Sequence, residues 1–594
     1  MNKQSKFLTL LLALTVLLAF ALPMTAGAAT TTSTAIGTGS ITIQPPTSGL
    51  LTLTNSNFTA YKLFDLKAIN GTLPYTPYDP AANPATVGPS AHFVYEPASW
   101  LQGFLTWADP RPGDAYGTDP ELFRKILQDH TYDDAYMVRL AKELAIYEAT
   151  PAGTAAMAGA KIASSQAGTS VSFNTVPYGY YLVVGTAYRN DRDTLDPSKD
   201  AIITRGMLFN VPEEVIVSGK VTAFEKDPTR ILKADAPTLE KEVQDEADDS
   251  WGEKATKNIG DIIEYRITVK IPAEYSMKGY DLSTYVFKIH DTLSAGLTLE
   301  KAGATLAKSD FSVWVNGSPL AAADFDLTSA TSPDSFTITI LPATFVAGKV
   351  GAGDTIVIRY QARLNKNAIV DGIGNKNTAY LEYSNNPNAG GTGETPPDEP
   401  KVFTFDIHIK KIDGEDDTTP LAGAKFKLYR DNNGTAATTP IGFVVDNRDT
   451  AQGDNQYRVP DATETATTTE VETTASGTIR FFGLDAGTYW LEESKAPVGY
   501  NKLANKIQIQ IAEDGKVRFF DEDQDKAAGA WVNIDVNAGD DNTIGIQNHT
   551  GGILPGTGGI GTYIFFGTGA VLAILLTLAF IAYKRKKALN ALNG

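Results

Sequence analysis

The chain reads as a mainly β protein: a row of immunoglobulin-like β-sandwiches with a helical insertion in the first domain and an apolar helix at the C-terminus. Three observations predict this. Thr, Gly, Ala, Val and Tyr are abundant, and short alternating segments recur between turn signals. One stretch, DPELFRKILQDHTYDDAYMVRLAKELAIYEAT, switches to helical spacing, with Asp119 placed as an N-cap and Pro120 at the first helical position. From Ile560 to Tyr583 an almost unbroken apolar run is long enough to cross a bilayer.

The two ends read as processing signals. Lys3 and Lys6, an apolar stretch from Phe7 to about Leu22 and the small-residue site Ala26-Gly27-Ala28 form a secretory signal, cut after Ala28. At the other end the apolar run is followed at once by Lys584, Arg585, Lys586 and Lys587, which keep the extreme C-terminus in the cytoplasm. Everything between the two signals then lies outside the cell.

That middle part exceeds five hundred residues, enough for three or four domains. Composition shifts divide it into a first domain over 29–230, a second over 231–400 that ends in the Gly/Pro/acid-rich stretch NNPNAGGTGETPPDEP, and a third over 401–550. Residues 1–28 are the leader and 551–594 the C-terminal signal. The chain has no cysteine, although extracellular proteins commonly use disulfides as staples. A net charge of −18 argues against nucleic acid as a partner. The five histidines lack metal-ligand spacing, and no cofactor is called for. Calcium at the acid-rich loop DGEDD is weighed against ordinary solvated loop charge, and the latter is favoured.

Strand alternation turns these segments into chemistry, because residues two apart share a face. In PTLEKEV, Leu239, Lys241 and Val243 face one way; in TYVFKIHDTL, Tyr285, Phe287, Ile289, Asp291 and Leu293 do; in KNTAYLEY, Asn377, Ala379, Leu381 and Tyr383 do. A lysine, an aspartate and an asparagine are thus directed into one core. The third domain repeats the set, with Lys411 on the face of Phe405, Ile407 and Ile409, Glu493 on that of Tyr489 and Leu491, and Asn548 on that of Ile544 and Ile546. Any one of these alone reads as an edge charge or a satisfied ion pair. The same triad twice is harder to dismiss.

Burial lowers a lysine's pKa and raises a carboxyl's, so a neutral amine can sit beside a protonated acid. The amine can attack the asparagine carbonyl while the acid polarises it and shuttles the proton. Ammonia leaves and an amide remains. Contact supplies the effective molarity, so no external enzyme is needed.

At these residues the sequence resembles the sortase-assembled pilins of Gram-positive bacteria, and most closely a backbone, or shaft, subunit. Leu554-Pro555-Gly556-Thr557-Gly558 matches that family's sorting signal, and YWLEESKAPVGY resembles its E-box, with Ser494 where threonine is usual. KIDG…LAGAKFKLY resembles the opening of a collagen-adhesin B-type domain, and the architecture the family implies combines B-type and A-type sandwiches. KIHDTLSAGL and GNKNTAYLEYSNNP resemble the family's middle isopeptide-forming domain. The resemblance implies bonds Lys241–Asn377 and Lys411–Asn548, promoted by Asp291 and Glu493, with Asn375 and Asn385 as alternative partners for the first. It also implies that a pilin-specific sortase cleaves between Thr557 and Gly558 and passes Thr557 to a lysine of the next subunit. A housekeeping sortase would finally join the polymer to peptidoglycan. The acceptor motif of the family ends Val-Tyr-Pro-Lys; here KVTAFEKDPTR offers Lys226, with Phe224 and Glu225 departing from the pattern and Lys220 and Lys233 as rivals.

The expectation is therefore a structural protein, secreted, cell-wall-anchored and polymerised with other copies, that supports adhesion to host or bacterial surface ligands. The alternative is an adhesin displayed singly, or a tip or basal subunit. A wall-bound enzyme lacks support, since no nucleophile elbow, zinc signature or P-loop is present.

Overall fold

The computed structural model describes residues 37–592 except 70–91, 109–118, 121–122, 124–126, 128–133, 205, 218–219, 233–235, 246–249, 273–281, 304, 332–333, 387–390, 447–454, 521–531, 534–542 and 551–559. The leader with Ala28, the sorting residues Leu554, Pro555, Thr557 and Gly558, and the rival Lys233 lie outside the described residues. The chain packs as two compact units: one of 1–255, 262–363 and 376–401, the other of 256–261, 364–375 and 402–594.

In the first unit, β1 (Thr38–Gln44), β2 (Leu51–Ile69), β3 (Ser170–Pro177) and β4 (Gly179–Arg189) form the antiparallel pairs β1–β3 and β2–β4. Between 97 and 161 the chain is helical at α1 (Leu101–Ala108), α2 (Asp134–Glu148) and α3 (Pro151–Met157). Apolar side chains of these helices, among them Phe104, Leu105, Leu140 and Leu144, pack with Leu63 and Phe64 of β2 in one cluster. Two further strands follow, β5 (Lys220–Glu225) and β6 (Thr229–Ile231), and β6 returns to pair parallel with β1.

The same unit then builds a sandwich from β7 (Thr238–Gln244), β8 (Ile262–Lys270), β9 (Phe287–Leu293), β10 (Asp334–Ile340), β11 (Thr355–Leu364) and β12 (Asn375–Ser384). One sheet runs β7-β8-β11 and the other β12-β9-β10. Every second residue of these strands is buried, as expected of sheets that cover a core on one face only. The alternation read from the sequence holds in detail: Phe287, Ile289, Asp291 and Leu293 are all buried, and so are Asn377, Ala379, Leu381 and Tyr383. Leu239 is half-buried, beside the fully buried Lys241.

The second unit repeats the plan with β13 (Phe405–Asp413), β14 (Lys425–Arg430), β15 (Thr478–Leu484), β16 (Gly487–Lys495), β17 (Ile507–Ile511) and β18 (Thr543–Asn548). β13 lies between β15 and β18, and it pairs with β18 in parallel. The facing sheet holds β14-β16-β17, and Ile407, Ile409, Phe426, Leu491, Ile509 and Ile546 fill the space between. A last helix, α4, spans Ile560–Leu592, and its stretch Thr568–Lys587 is long and apolar enough to cross a membrane.

One glycine sets the position of β13. Gly477 has φ +77°, its carbonyl accepts from Lys411 N at 2.7 Å, and a Cβ there would come 2.4 Å from the Lys411 carbonyl oxygen. A side chain would add left-handed backbone strain to this clash. Gly477→Ala should therefore destabilise the second unit by ~2 kcal/mol or more, read as an earlier midpoint in denaturant. An unchanged midpoint would contradict this packing.

Candidate cross-linking sites

In the middle sandwich the lysine comes from one sheet and its partners from the other. Lys241 Nζ lies 2.6 Å from Asp291 Oδ2, and both side chains are completely buried. Asp291 on β9 pairs with Ala379 on β12, and Leu293 pairs with Asn377, so Asp291 and Asn377 are diagonal neighbours on the core face. Tyr360 of β11, in the lysine's own sheet, reaches across: its hydroxyl donates to Asp291 Oδ2 at 2.7 Å and accepts from Asn377 Nδ2 at 2.8 Å. The amine also lies 5.3 Å from the ring centre of Tyr265, which stacks on Tyr360. Aromatic walls thus exclude water from the amine, the acid and the amide.

Exclusion of water decides the charges. Burial pushes the Lys241 amine from its ordinary 10.5 down to about 8, against the opposing pull of the Asp291 charge. The same desolvation raises the Asp291 carboxyl, although the lysine and Tyr360 both favour its charged form. These are the directions that a neutral amine beside a protonated acid requires.

In the second unit the arrangement differs. Lys411 and Asn548 sit on adjacent parallel strands: Lys411 pairs with Ile546 and Asp413 with Asn548, which places the two side chains diagonally within one sheet. Lys411 Nζ donates to the Ile546 carbonyl at 3.0 Å. Glu493 comes from the facing sheet, with Oε1 3.8 Å from Lys411 Nζ, and both side chains are fully buried. Its other oxygen, Oε2, accepts from Asn548 Nδ2 at 3.1 Å and from Leu503 N at 2.8 Å. Asn548 Nδ2 also donates to the Asn501 carbonyl.

The two clusters leave the same atoms unsatisfied. Asp291 Oδ1 and Asn377 Oδ1 are buried without a hydrogen-bond partner, and so are Glu493 Oε1 and Asn548 Oδ1. A buried acceptor without a donor costs about 1–3 kcal/mol. Each cluster thus leaves one carboxyl oxygen and one amide oxygen as buried acceptors without a donor.

The other asparagines are otherwise engaged. Asn375 is buried, but its amide clamps a loop, accepting from Ile369 N at 2.8 Å and donating to the carbonyls of Ile369 at 2.9 Å and Val402 at 3.2 Å. Asn385 donates to the Ala201 carbonyl at 2.8 Å. The sequence reading missed Tyr360. In TIVIRYQARL it alternates with Ile356, Ile358 and Ala362, so it reads as ordinary core, and only the hydroxyl's two partners set it apart.

Lys226 follows β5 in the turn before β6. Its side chain is exposed, with Nζ 3.7 Å from Asp227 Oδ2. The first strand holds its backbone: Ser40 N donates to the Lys226 carbonyl at 3.2 Å, and Ser40 N and Oγ both donate to Asp227 Oδ1, at 2.8 and 2.9 Å. A Cβ on Gly39 would approach the Lys226 carbonyl oxygen to 1.9 Å, so only glycine fits there. Lys220 lies at the start of β5, paired with Val217. The acid-rich loop after β13 turns its carboxylates onto its own backbone, Asp413 accepting from Glu415 N and Asp416 from Thr418 N and Thr419 N. Among the described residues no group of three or more His, Asp or Glu is arranged to hold a metal ion.

The sign of the lysine shift gives a test. Asn377→Ala leaves the cluster unable to react. Between about pH 8 and 10.5 the unfolded lysine keeps its proton while the folded one has released it. The unfolded chain then binds more protons, and stability rises with pH across that window. Melting of the middle sandwich should move upward there relative to an Asn377→Ala, Lys241→Met chain. Parallel profiles would count against the displaced pKa.

Two family models match the chain. Residues 259–387 match the Gram-positive pilin backbone subunit 2, Cna-B-like domain, which takes in Asp291, Tyr360 and Asn377. Residues 405–524 match the SpaA prealbumin-like fold domain, which takes in Lys411 and Glu493. The chain is 26% identical over 416 residues to the trypsin-resistant surface T6 protein of Streptococcus pyogenes serotype M6, covering 61% of this chain and 71% of that protein. Among solved structures it is similar to the T6 backbone pilin of the same serotype (16% identity, TM-score 0.48, 87% of this chain and 100% of that one). It is also similar to the major pilin SpaD of Corynebacterium diphtheriae (16% identity, TM-score 0.42, 87% and 99%). Over 259–387 and 405–524, then, the chain is similar to domains found in Gram-positive backbone pilins.

Proposed function

We propose that the chain is the shaft subunit of a covalent surface pilus, stapled internally by the amides Lys241–Asn377 and Lys411–Asn548 and joined to its neighbour through Thr557 and Lys226. The observation that carries the reading is the pair of dry lysine–carboxyl–asparagine clusters, each with the same two orphan acceptors, in a chain that has no cysteine. In each cluster the neutral amine attacks the asparagine side-chain carbonyl, the carboxyl carries the proton, and ammonia departs. Burial in contact supplies the effective molarity.

The placement of the bonds suits a chain under tension. Lys411 lies near the start of its sandwich and Asn548 at its last strand, beside the tail that carries the sorting signal. Force entering through that tail would cross the new amide to β13 and bypass the strands between. Lys241 and Asn377 bracket the middle sandwich in the same way, here from opposite sheets. In a chain-entropy view, each closed loop of about a hundred residues or more contributes roughly 4–5 kcal/mol. The boundaries that follow are a first domain over 29–230, a second over 231–400 and a third over 401–550.

Assembly uses the two remaining sites. A pilin-specific sortase would cleave after Thr557 and transfer it to Lys226, whose exposed amine stands on a turn clamped by Gly39 and Ser40. A housekeeping sortase would then fix the base of the polymer to peptidoglycan. Polymerised copies, rather than turnover chemistry, are the working form, and the pilus so built would support adhesion to host or bacterial surfaces.

Two measurements test this. The intact mass of residues 30–550 should fall short of the sequence mass by two ammonia molecules, and peptide mapping should join Lys241 to Asn377 and Lys411 to Asn548. A full mass would refute the internal bonds. In the native host, Lys226→Ala should replace the high-mass ladder of pilus polymers by monomer, whereas a ladder that persists assigns the acceptor elsewhere.

A further inference from the structure

The two clusters differ at the atom that must leave. In the second unit Glu493 Oε2 hydrogen-bonds the departing nitrogen, Asn548 Nδ2, directly at 3.1 Å. In the middle sandwich Asp291 Oδ2 is bonded to Lys241 Nζ on one side and to the Tyr360 hydroxyl on the other, and it is that hydroxyl which contacts Asn377 Nδ2. We propose that Tyr360 is a catalytic residue of the middle bond, relaying the Asp291 proton to the departing nitrogen of Asn377. The inference rests on the amide chemistry proposed above and adds to it the group that protonates the leaving atom.

The proton inventory closes without a further reagent. Neutral Lys241 Nζ attacks Asn377 Cγ, and the carbonyl electron pair moves onto Oδ1. Nδ2, until then a planar amide donor, becomes a tetrahedral amine with a free lone pair. Tyr360 gives its hydroxyl proton to that lone pair and takes the Asp291 proton in its place. The carbonyl re-forms, the Cγ–Nδ2 bond breaks with its electrons on nitrogen, and ammonia leaves. Asp291, now charged, removes the surplus proton from Nζ at the 2.6 Å contact and returns to its starting form. One C–N bond forms and one breaks, nothing is oxidised, and tyrosine and aspartate are both regenerated.

The heavy atoms need not move for this, because a hydroxyl hydrogen rotates to suit its partners. The resting hydrogen bonds run from the amide to the hydroxyl to Oδ2 of the protonated Asp291 carboxyl, and attack reverses their polarity. Burial beside Asp291 holds the phenol well above its ordinary value, so it stays protonated and passes a proton only when it receives one. The ring is fixed by stacking on Tyr265 (5.5 Å between centres) and by edge contact with Phe336 (4.9 Å). Removing the hydroxyl therefore deletes the relay and leaves the packing ring in place.

The test synthesises the full chain in a cell-free system with detergent and samples both cross-links over time by peptide mass. Tyr360→Phe should slow the Lys241–Asn377 bond by about 100-fold and leave Lys411–Asn548 at the parent rate. A near-isosteric fluorinated tyrosine at 360, which packs alike but is a stronger acid, should change the middle closure rate and its pH profile; a role confined to packing would leave both unmoved. Closure of the middle bond at the parent rate in Tyr360→Phe overturns the relay. If Tyr360→Phe fails to fold, judged by trypsin digestion under native conditions, the fluorinated chain decides alone, and an unchanged rate and profile overturn the relay. A parent chain that never forms the middle bond would refute the cross-linking reading itself, a different result from loss of the relay.

Discussion

A lysine amine taken out of water against a carboxyl is the interaction on which the rest of this molecule turns. Isolated charges in a core are expensive, and even paired ones seldom recover the full cost of desolvation. Lys241 and Asp291 meet at 2.6 Å with no exposed surface, which displaces both pKa values toward the uncharged pair. A core that merely needed stability would place apolar residues there. The cost becomes intelligible when the pair is a reactant: the environment that makes the charges unfavourable also makes the amine nucleophilic and the acid a proton donor.

The two sandwiches bring lysine, carboxyl and asparagine together through different topologies. In the middle one the amine crosses from the opposite sheet, so an amide there would tie the two layers together. In the second unit amine and amide sit on parallel neighbours, β13 and β18, and the carboxyl alone comes from across the core. The common requirement is a dry contact among three groups rather than a particular strand order. The orphan acceptors shared by both clusters, one carboxyl oxygen and one amide oxygen each, mark the same chemical need in both settings.

The surroundings of each cluster rest on close backbone packing. Gly477 presses on the Lys411 carbonyl, and Gly39 presses on that of Lys226. In each case a missing side chain lets two strands approach to the distance that sets a lysine in place, buried in one case and exposed in the other. The same residue type is thus held in two settings, one amine kept from water and one exposed to it, and the difference lies wholly in what covers it.

The local alternation of strands was legible from the residues alone. Because side chains on a strand repeat every two positions, the inward direction of Lys241, Asp291, Asn377, Lys411, Glu493 and Asn548 followed from their apolar neighbours, and all six are buried. The lengths and breaks of the apolar segments likewise gave away the β architecture and the C-terminal helix. Which sheet each strand joined was not legible, because pairing depends on contacts far apart in sequence. Tertiary contact also separates Asn377, which meets Tyr360, from Asn375, its neighbour of equal parity on β12, which clamps a loop. It brings Tyr360 against Asp291 and Asn377 as well, and Ser40 to the Lys226 turn, across 187 residues in the case of the Ser40–Asp227 bond. Periodicity is a property of neighbours along the chain; partnership across a core is decided only when the sheets close.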